Sequence, residues 1–270
     1  MSDNRPIGIF DSGLGGLTSV RAIKELLPNE HIIYFGDTAR TPYGSKSVDT
    51  INKFAQEIVQ FLIENDVKVI GIACNTVSAS SLKNLKKSFP EMTFIDIIQP
   101  MVEASRNIVK EQAKIVVIGT EVTINSGMYE QKIKQILPNT KVISKACPLF
   151  VTLIEQGLLS DPLLDSAIHT YLDQIMAQEK PEYLILGCTH YPLISDRLQK
   201  FYPDVKILNP ALSQAEATKK ILFENNLAAD PNQDAKYTFY ASDLSDIFQN
   251  MIEHILADDS SEINFKELRL

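Results

Sequence analysis

Two segments of the 270-residue chain carry an apolar run into a cysteine followed by two polar residues: Val69-Ile70-Gly71-Ile72-Ala73-Cys74-Asn75-Thr76 and Tyr183-Leu184-Ile185-Leu186-Gly187-Cys188-Thr189-His190. One such cysteine reads as core, because free Cys is among the most buried residue types. Two in the same setting read as a pair of reagents. Two similar bases across one carbon are what a racemisation needs: one removes the α-proton, and the conjugate acid of the other delivers a proton to the opposite face. A free thiol has a pKa of about 8.5, so each needs a helix N-terminus or a neighbouring base to become a thiolate. Asp11 and His190 are the candidate helpers. His31, His169 and His254 read as structural or surface residues.

Such cysteines must be held at strand ends. A β-branched apolar run without alternation suits a strand buried on both faces, and in open α/β sheets ligands bind at the carboxyl edge. A first strand, Ile7 to Phe10, runs into Asp11-Ser12-Gly13-Leu14-Gly15-Gly16 and a helix from about Thr18 to Leu27. This turn fails the dinucleotide pattern, with Thr18 where the third glycine belongs, and no GK[ST] follows for a P-loop. Asp11 or Ser12 serves either as helix N-cap or as a ligand contact. The strand His31 to Phe35 ends in the polar loop Gly36 to Gly44, and a helix from Ser47 to Asn65 carries Val48, Ile51, Phe54, Ile58 and Phe61 or Leu62 on one stripe.

Past Gln99-Pro100 the pattern restarts. Leu26-Leu27-Pro28-Asn29 is echoed by Ile136-Leu137-Pro138-Asn139 at an offset of 110, the cysteine strand at 114, Leu85 to Glu91 by Leu198 to Asp204 at 113, and Gln99-Pro100 by Asn209-Pro210 at 110. A shared offset is the mark of an internal duplication. The sequence therefore predicts two pseudo-symmetric, mostly parallel-sheet α/β domains with the active site in the cleft between them: residues 1–98 with 211–270, and 99–210. The final stretch, helix Leu212 to Asn225, strand Tyr237 to Ala241 and a helix from Leu244, belongs to neither repeat and is expected to pack on the first domain.

A composition of 44% hydrophobic and 22% charged residues is that of an ordinary globular protein. The net charge of −8 excludes a nucleic-acid or anionic-membrane partner, and Lys83, Lys86 and Lys87 read as a solvated helix face. Neither a signal-like start nor a run of about 18 apolar residues occurs, which predicts a cytoplasmic protein. Cys74, Cys147 and Cys188 show neither CxxC nor metal-ligand spacing, which predicts reduced thiols.

The segments Phe10 to Thr18, Gly36 to Gly44, Ala73-Cys74-Asn75-Thr76 and Gly187-Cys188-Thr189-His190-Tyr191-Pro192 resemble the signature blocks of the glutamate racemases, within the aspartate/glutamate racemase family. The resemblance implies a cofactor-free enzyme that interconverts L- and D-glutamate and supplies D-glutamate for peptidoglycan. It implies Cys74 acting on the D-isomer and Cys188 on the L-isomer, assisting roles for Asp11, His190 and Glu155, and substrate contacts through Ser12, Tyr43, Gly44, Asn75, Thr76 and Thr189. Val77, where alanine is usual, and Thr152, where proline is common, depart from the pattern. Aspartate enzymes tend to carry an acid where His190 stands, so the sequence leans to glutamate as the small-molecule partner. Whether the protein is a homodimer is left open by the sequence. Two other classes remain: a cysteine hydrolase with a Cys188–His190 dyad, which leaves the duplicated motif unexplained, and a noncatalytic module that binds glutamate without exchanging its α-proton.

Overall fold

The structure is a computed structural model that describes residues 2–246, 249, 250 and 252, with the backbone of 263–267. The first half runs β1 (Ile7–Asp11), α1 (Leu17–Leu26), β2 (Ile32–Gly36), α2 (Val48–Glu64), β3 (Val69–Ile72), α3 (Asn75–Ser80), α4 (Leu82–Ser88) and β4 (Phe94–Asp96). The second half runs α5 (Ile98–Ile108), β5 (Lys114–Gly119), α6 (Glu121–Asn125), α7 (Met128–Ile136), β6 (Lys141–Ala146), α8 (Pro148–Glu155), α9 (Pro162–Glu179), β7 (Tyr183–Gly187), α10 (Ser195–Phe201) and β8 (Lys206–Leu208). The chain then returns through α11 (Pro210–Glu224), β9 (Tyr237–Ala241) and β10 (Ile263–Glu267).

Two sheets form, with every pairing parallel: β10-β9-β2-β1-β3-β4 and β6-β5-β7-β8. The order β2-β1-β3-β4 repeats as β6-β5-β7-β8, so the echoes in the sequence correspond to one strand order used twice. In each sheet the order reverses between the first and third strands of the repeat, and such a switch point opens a crevice at the carboxyl edge. Asp11 and Cys74 stand at that point in one sheet; Thr120 and Cys188 stand there in the other.

Strands β1, β3 and β7 are buried at every residue, as non-alternating apolar runs require when helices cover both faces. Four apolar clusters result, one on each face of each sheet; α1 and α11 cover one face of the first sheet and α2 the other. Helix α2 starts at the Ser47 cap, whose hydroxyl accepts the Thr50 N–H at 3.2 Å, and buries Ile51, Ala55, Ile58, Val59 and Leu62. Val48, expected on that stripe, is 47% exposed because it precedes the first turn that reaches the sheet. Helix α5 begins at Ile98, since Asp96 accepts the N–H groups of Ile98 and Gln99 and leaves Pro100 inside the first turn, where no donor is needed.

The tail packs on the first sheet through β9, which pairs with β2, and β10 adds a strand that the periodicity does not reveal. His254 lies outside the described residues. His169 is exposed beside Asp173, and His31 accepts the Lys236 N–H at 2.9 Å. Among the described residues no helix is long and apolar enough to cross a membrane.

At the amino edge of the first sheet, Lys68 and Glu30 form a buried ion pair at 2.5 Å, with Lys68 also donating to the Asp3 carbonyl and Glu30 accepting the Ala229 N–H. Lys68→Met leaves Glu30 buried without its cation and is expected to lower the unfolding free energy in urea by about 3–5 kcal/mol.

Candidate active site

The residues singled out in the sequence converge where the two carboxyl edges meet. Cys74 caps α3 and is 3% exposed; Cys188, at the end of β7, is 6% exposed. On the Cys74 side the thiol donates to the Ser12 hydroxyl at 3.6 Å. On the Cys188 side the sulfur lies 3.7 Å from His190 Nδ1. Asp11, fully buried, joins the two: Oδ2 accepts the N–H groups of Gly13 and Gly16 at 3.1 and 3.0 Å, and Oδ1 accepts the Thr189 hydroxyl at 3.2 Å. Asp11 therefore does the work of a cap on the turn before α1 while reaching across to the other half; the N-cap position itself is Gly16. Thr18 adds a second tie, donating to the Thr189 carbonyl at 3.3 Å.

His190 is buried and its Nε2 bonds Oε1 of Glu155, at the end of α8; the same oxygen accepts the Leu14 N–H at 3.4 Å. Burial opposes charge on His190, but Cys188 and Glu155 outweigh it and hold the imidazole well above its ordinary pKa. Burial likewise pushes Glu155 up, and the His190 hydrogen bond and charge bring it below the ordinary carboxylate value. The pair is an imidazolium and a carboxylate. Burial, with the Asp11 charge, pushes the Cys74 thiol up to about 12 in spite of the Val77 N–H and Ser12. Burial also raises Asp11, against the pull of His190 and the Gly16 and Gly13 N–H groups. Cys74 is therefore a protonated thiol, and the Cys188 sulfur has a cation beside it.

Asn75 accepts the Tyr129 hydroxyl at 2.7 Å, and its Nδ2, buried, has no partner. A buried amide N–H left unpaired marks a place for an acceptor from a ligand. Thr76 shares its hydroxyl with Thr120 at 3.0 Å and Thr123 at 3.5 Å. Thr120, Thr123 and Tyr129 are not singled out by the sequence; the signal for Thr120 is its place just after β5, the place that Ser12 holds just after β1. Tyr43 is buried with its hydroxyl donated to Asp37, which also receives Arg40 Nε at 2.6 Å and Ser242 Oγ at 2.7 Å. The tyrosine thus fixes its loop, and what faces the cleft is the backbone around Gly44. A Cβ on Gly44 would lie 2.4 Å from Thr120 Cβ, so glycine lets the loop of one half rest on the other.

A groove of about 760 Å³ between α1, α5 and α11, lined by Leu26, Pro100, Ala104 and Leu212, contains none of these groups. Cys147 caps α8 with its thiol pushed up to about 12 by burial, away from the Asp11 network.

The profile of the family described as Asp/Glu/Hydantoin racemase matches residues 13–218, which contain both cysteines and the polar groups above that converge on them, apart from Asp11 and Ser12. The chain belongs to that family. It is 39% identical over 264 residues to a glutamate racemase of Neisseria meningitidis, covering 98% of this chain and 97% of the relative. It is 42% identical over 253 residues to one from Syntrophus aciditrophicus, covering 93% and 92%. The crystal structure of the Francisella tularensis glutamate racemase in complex with D-glutamate superimposes with a TM-score of 0.89 at 39% identity, covering 98% of each chain.

Proposed function

We propose that the protein is a cytoplasmic, cofactor-independent glutamate racemase that uses Cys74 and Cys188 as its two bases and supplies D-glutamate for peptidoglycan. The observation that carries the reading is the equivalence of the two thiols: each follows the third strand of one strand order used twice, and Asp11 and Thr189 tie the two edges together. Identity of 39–42% to glutamate racemases over nearly the whole chain supports glutamate as the substrate.

In the L-to-D direction, Cys188 as thiolate takes the α-proton, its charge balanced by the His190 imidazolium, which Glu155 holds protonated. The Cys74 thiol then delivers its proton to the other face of the planar carbanion. One S–H bond forms and one breaks, and the reverse direction exchanges the roles. The amide of Asn75, the hydroxyls of Thr76 and Thr120 and the N–H groups opening α3 suit the carboxylates without a buried arginine. Residues 1–98 with 211–270, and residues 99–210, act in this reading as the two jaws, supported by which strands enter each sheet.

A circular dichroism time course on L-glutamate, with neither pyridoxal phosphate nor metal added, tests the proposal. The signal is expected to decay to zero, and a folded protein that leaves it unchanged would overturn the assignment. Gly44→Ala pushes the loop off Thr120 and is expected to lower kcat/KM about 10²-fold in the same assay, the scale of a misplacement near 1 Å, with the far-ultraviolet spectrum unchanged.

A further inference from the structure

Gln214 sits on the second turn of α11, fully buried, and its Nε2 donates to two carbonyls on different strands, Ile72 of β3 and Ile95 of β4, at 2.9 Å each. Two acceptor carbonyls fix which end of the amide faces them, because only the NH₂ can donate. The other end, Oε1, is buried with no partner, so the side chain is held in place for these two bonds despite an unsatisfied oxygen. The Ile72 carbonyl also accepts the Ser78 hydroxyl at 3.4 Å, from α3. Cys74 hangs two residues beyond Ile72, and the Val77 N–H of that same α3 acts on its sulfur. Helix α11 in turn follows β8 of the second sheet after one residue, Asn209. A single carboxamide therefore joins the return crossing between the halves to the peptide that carries Cys74.

We propose that Gln214 is a positioning residue for Cys74: its two hydrogen bonds pin the end of β3 to α11 and thereby hold the thiol against Ser12 and the start of α3. The effect on catalysis rests on Cys74 being a base, whereas the placement of the thiol can be read without turnover.

The test is peptide-resolved iodoacetamide labelling of the full chain carrying Gln214→Met, a side chain of similar length with no donor. Freed from α11, the Cys74 turn is expected to open and its labelling to accelerate about fivefold or more, with Cys188 and Cys147 within about twofold of the parent. Buried Cys147 reports general loosening, so acceleration of all three thiols together, or an unchanged Cys74 rate, overturns the proposal. Should Gln214→Met not fold, Gln214→Glu, which keeps the shape and loses the NH₂ donor, is read by the same ratio. In the racemase assay kcat is expected to fall about tenfold in both directions with KM within twofold; a rise in KM alone would equally overturn the positioning role. A parent protein that shows no racemisation would leave the labelling result readable and remove only its catalytic meaning.

Discussion

Racemisation of glutamate is expected to stop when either Cys74 or Cys188 is replaced by alanine, while exchange of the α-proton survives on one side only. Each thiol serves one face of the carbon, so removing one leaves a carbanion that can be reprotonated only where it lost its proton. General acid–base groups contribute about 10²–10⁴-fold, and racemisation by each single variant should fall by at least about 10³-fold. In deuterated water the wild-type protein should place deuterium at Cα of the product enantiomer from the first turnovers. Cys74→Ala should still wash deuterium into L-glutamate through Cys188, and Cys188→Ala into D-glutamate through Cys74. Substantial racemisation by either variant would mean that one residue serves both faces, and the paired-thiol mechanism would fall. Exchange of the opposite isomers would keep the mechanism and reverse the faces. The hydrolase alternative predicts a third pattern, in which only Cys188→Ala matters.

The second large effect belongs to the Glu155–His190 pair. His190→Asn keeps a polar side chain of similar reach and removes the cation beside Cys188, so activity should fall about 10²-fold or more. Because the equilibrium constant between enantiomers is one, kcat/KM must fall equally in both directions. The asymmetry is expected in kcat and KM taken separately, with the larger loss of kcat on L-glutamate. Glu155→Gln removes one of the two partners, after Cys188, that hold His190 protonated, so activity is expected to fall away at a lower alkaline pH than in the wild type.

The same pair sets a stability window with a definite sign. The folded-state pKa of His190 is raised, so its contribution is complete below about 6.5 and is lost as pH climbs through the raised value. That of Glu155 is lowered, so its contribution is present above about 4.5 and is lost as pH falls through the lowered value. Urea midpoints of the wild type and Glu155→Gln should therefore differ most in the weakly acidic to neutral range and converge at both extremes. Equal differences at every pH would show that Glu155 acts by packing alone.

What the sequence determined by itself is everything that depends on neighbours along the chain. Burial on both faces is written into the unbroken apolar runs of β1, β3 and β7, and the residue that ends each run is thereby sent to the carboxyl edge. Cys74 and Cys188 were legible for that reason, and the shared offset of the echoes made the two sheets legible as one strand order repeated. The turn at Gly13 to Gly16 was legible as a turn, but not that Asp11 would serve it and Thr189 at once. Tertiary structure alone decided the partners. Glu155 meets His190 across 35 residues, Thr189 meets Asp11 across 178, and Gln214 meets Ile72 across 142. It also turned the Tyr43 hydroxyl to Asp37, set Gly44 against Thr120, and extended the first sheet by β10. Such pairings follow from how two separately formed sheets pack, and periodicity carries no record of them: it fixes which face of a strand or helix is buried, not which distant side chain will be buried against it.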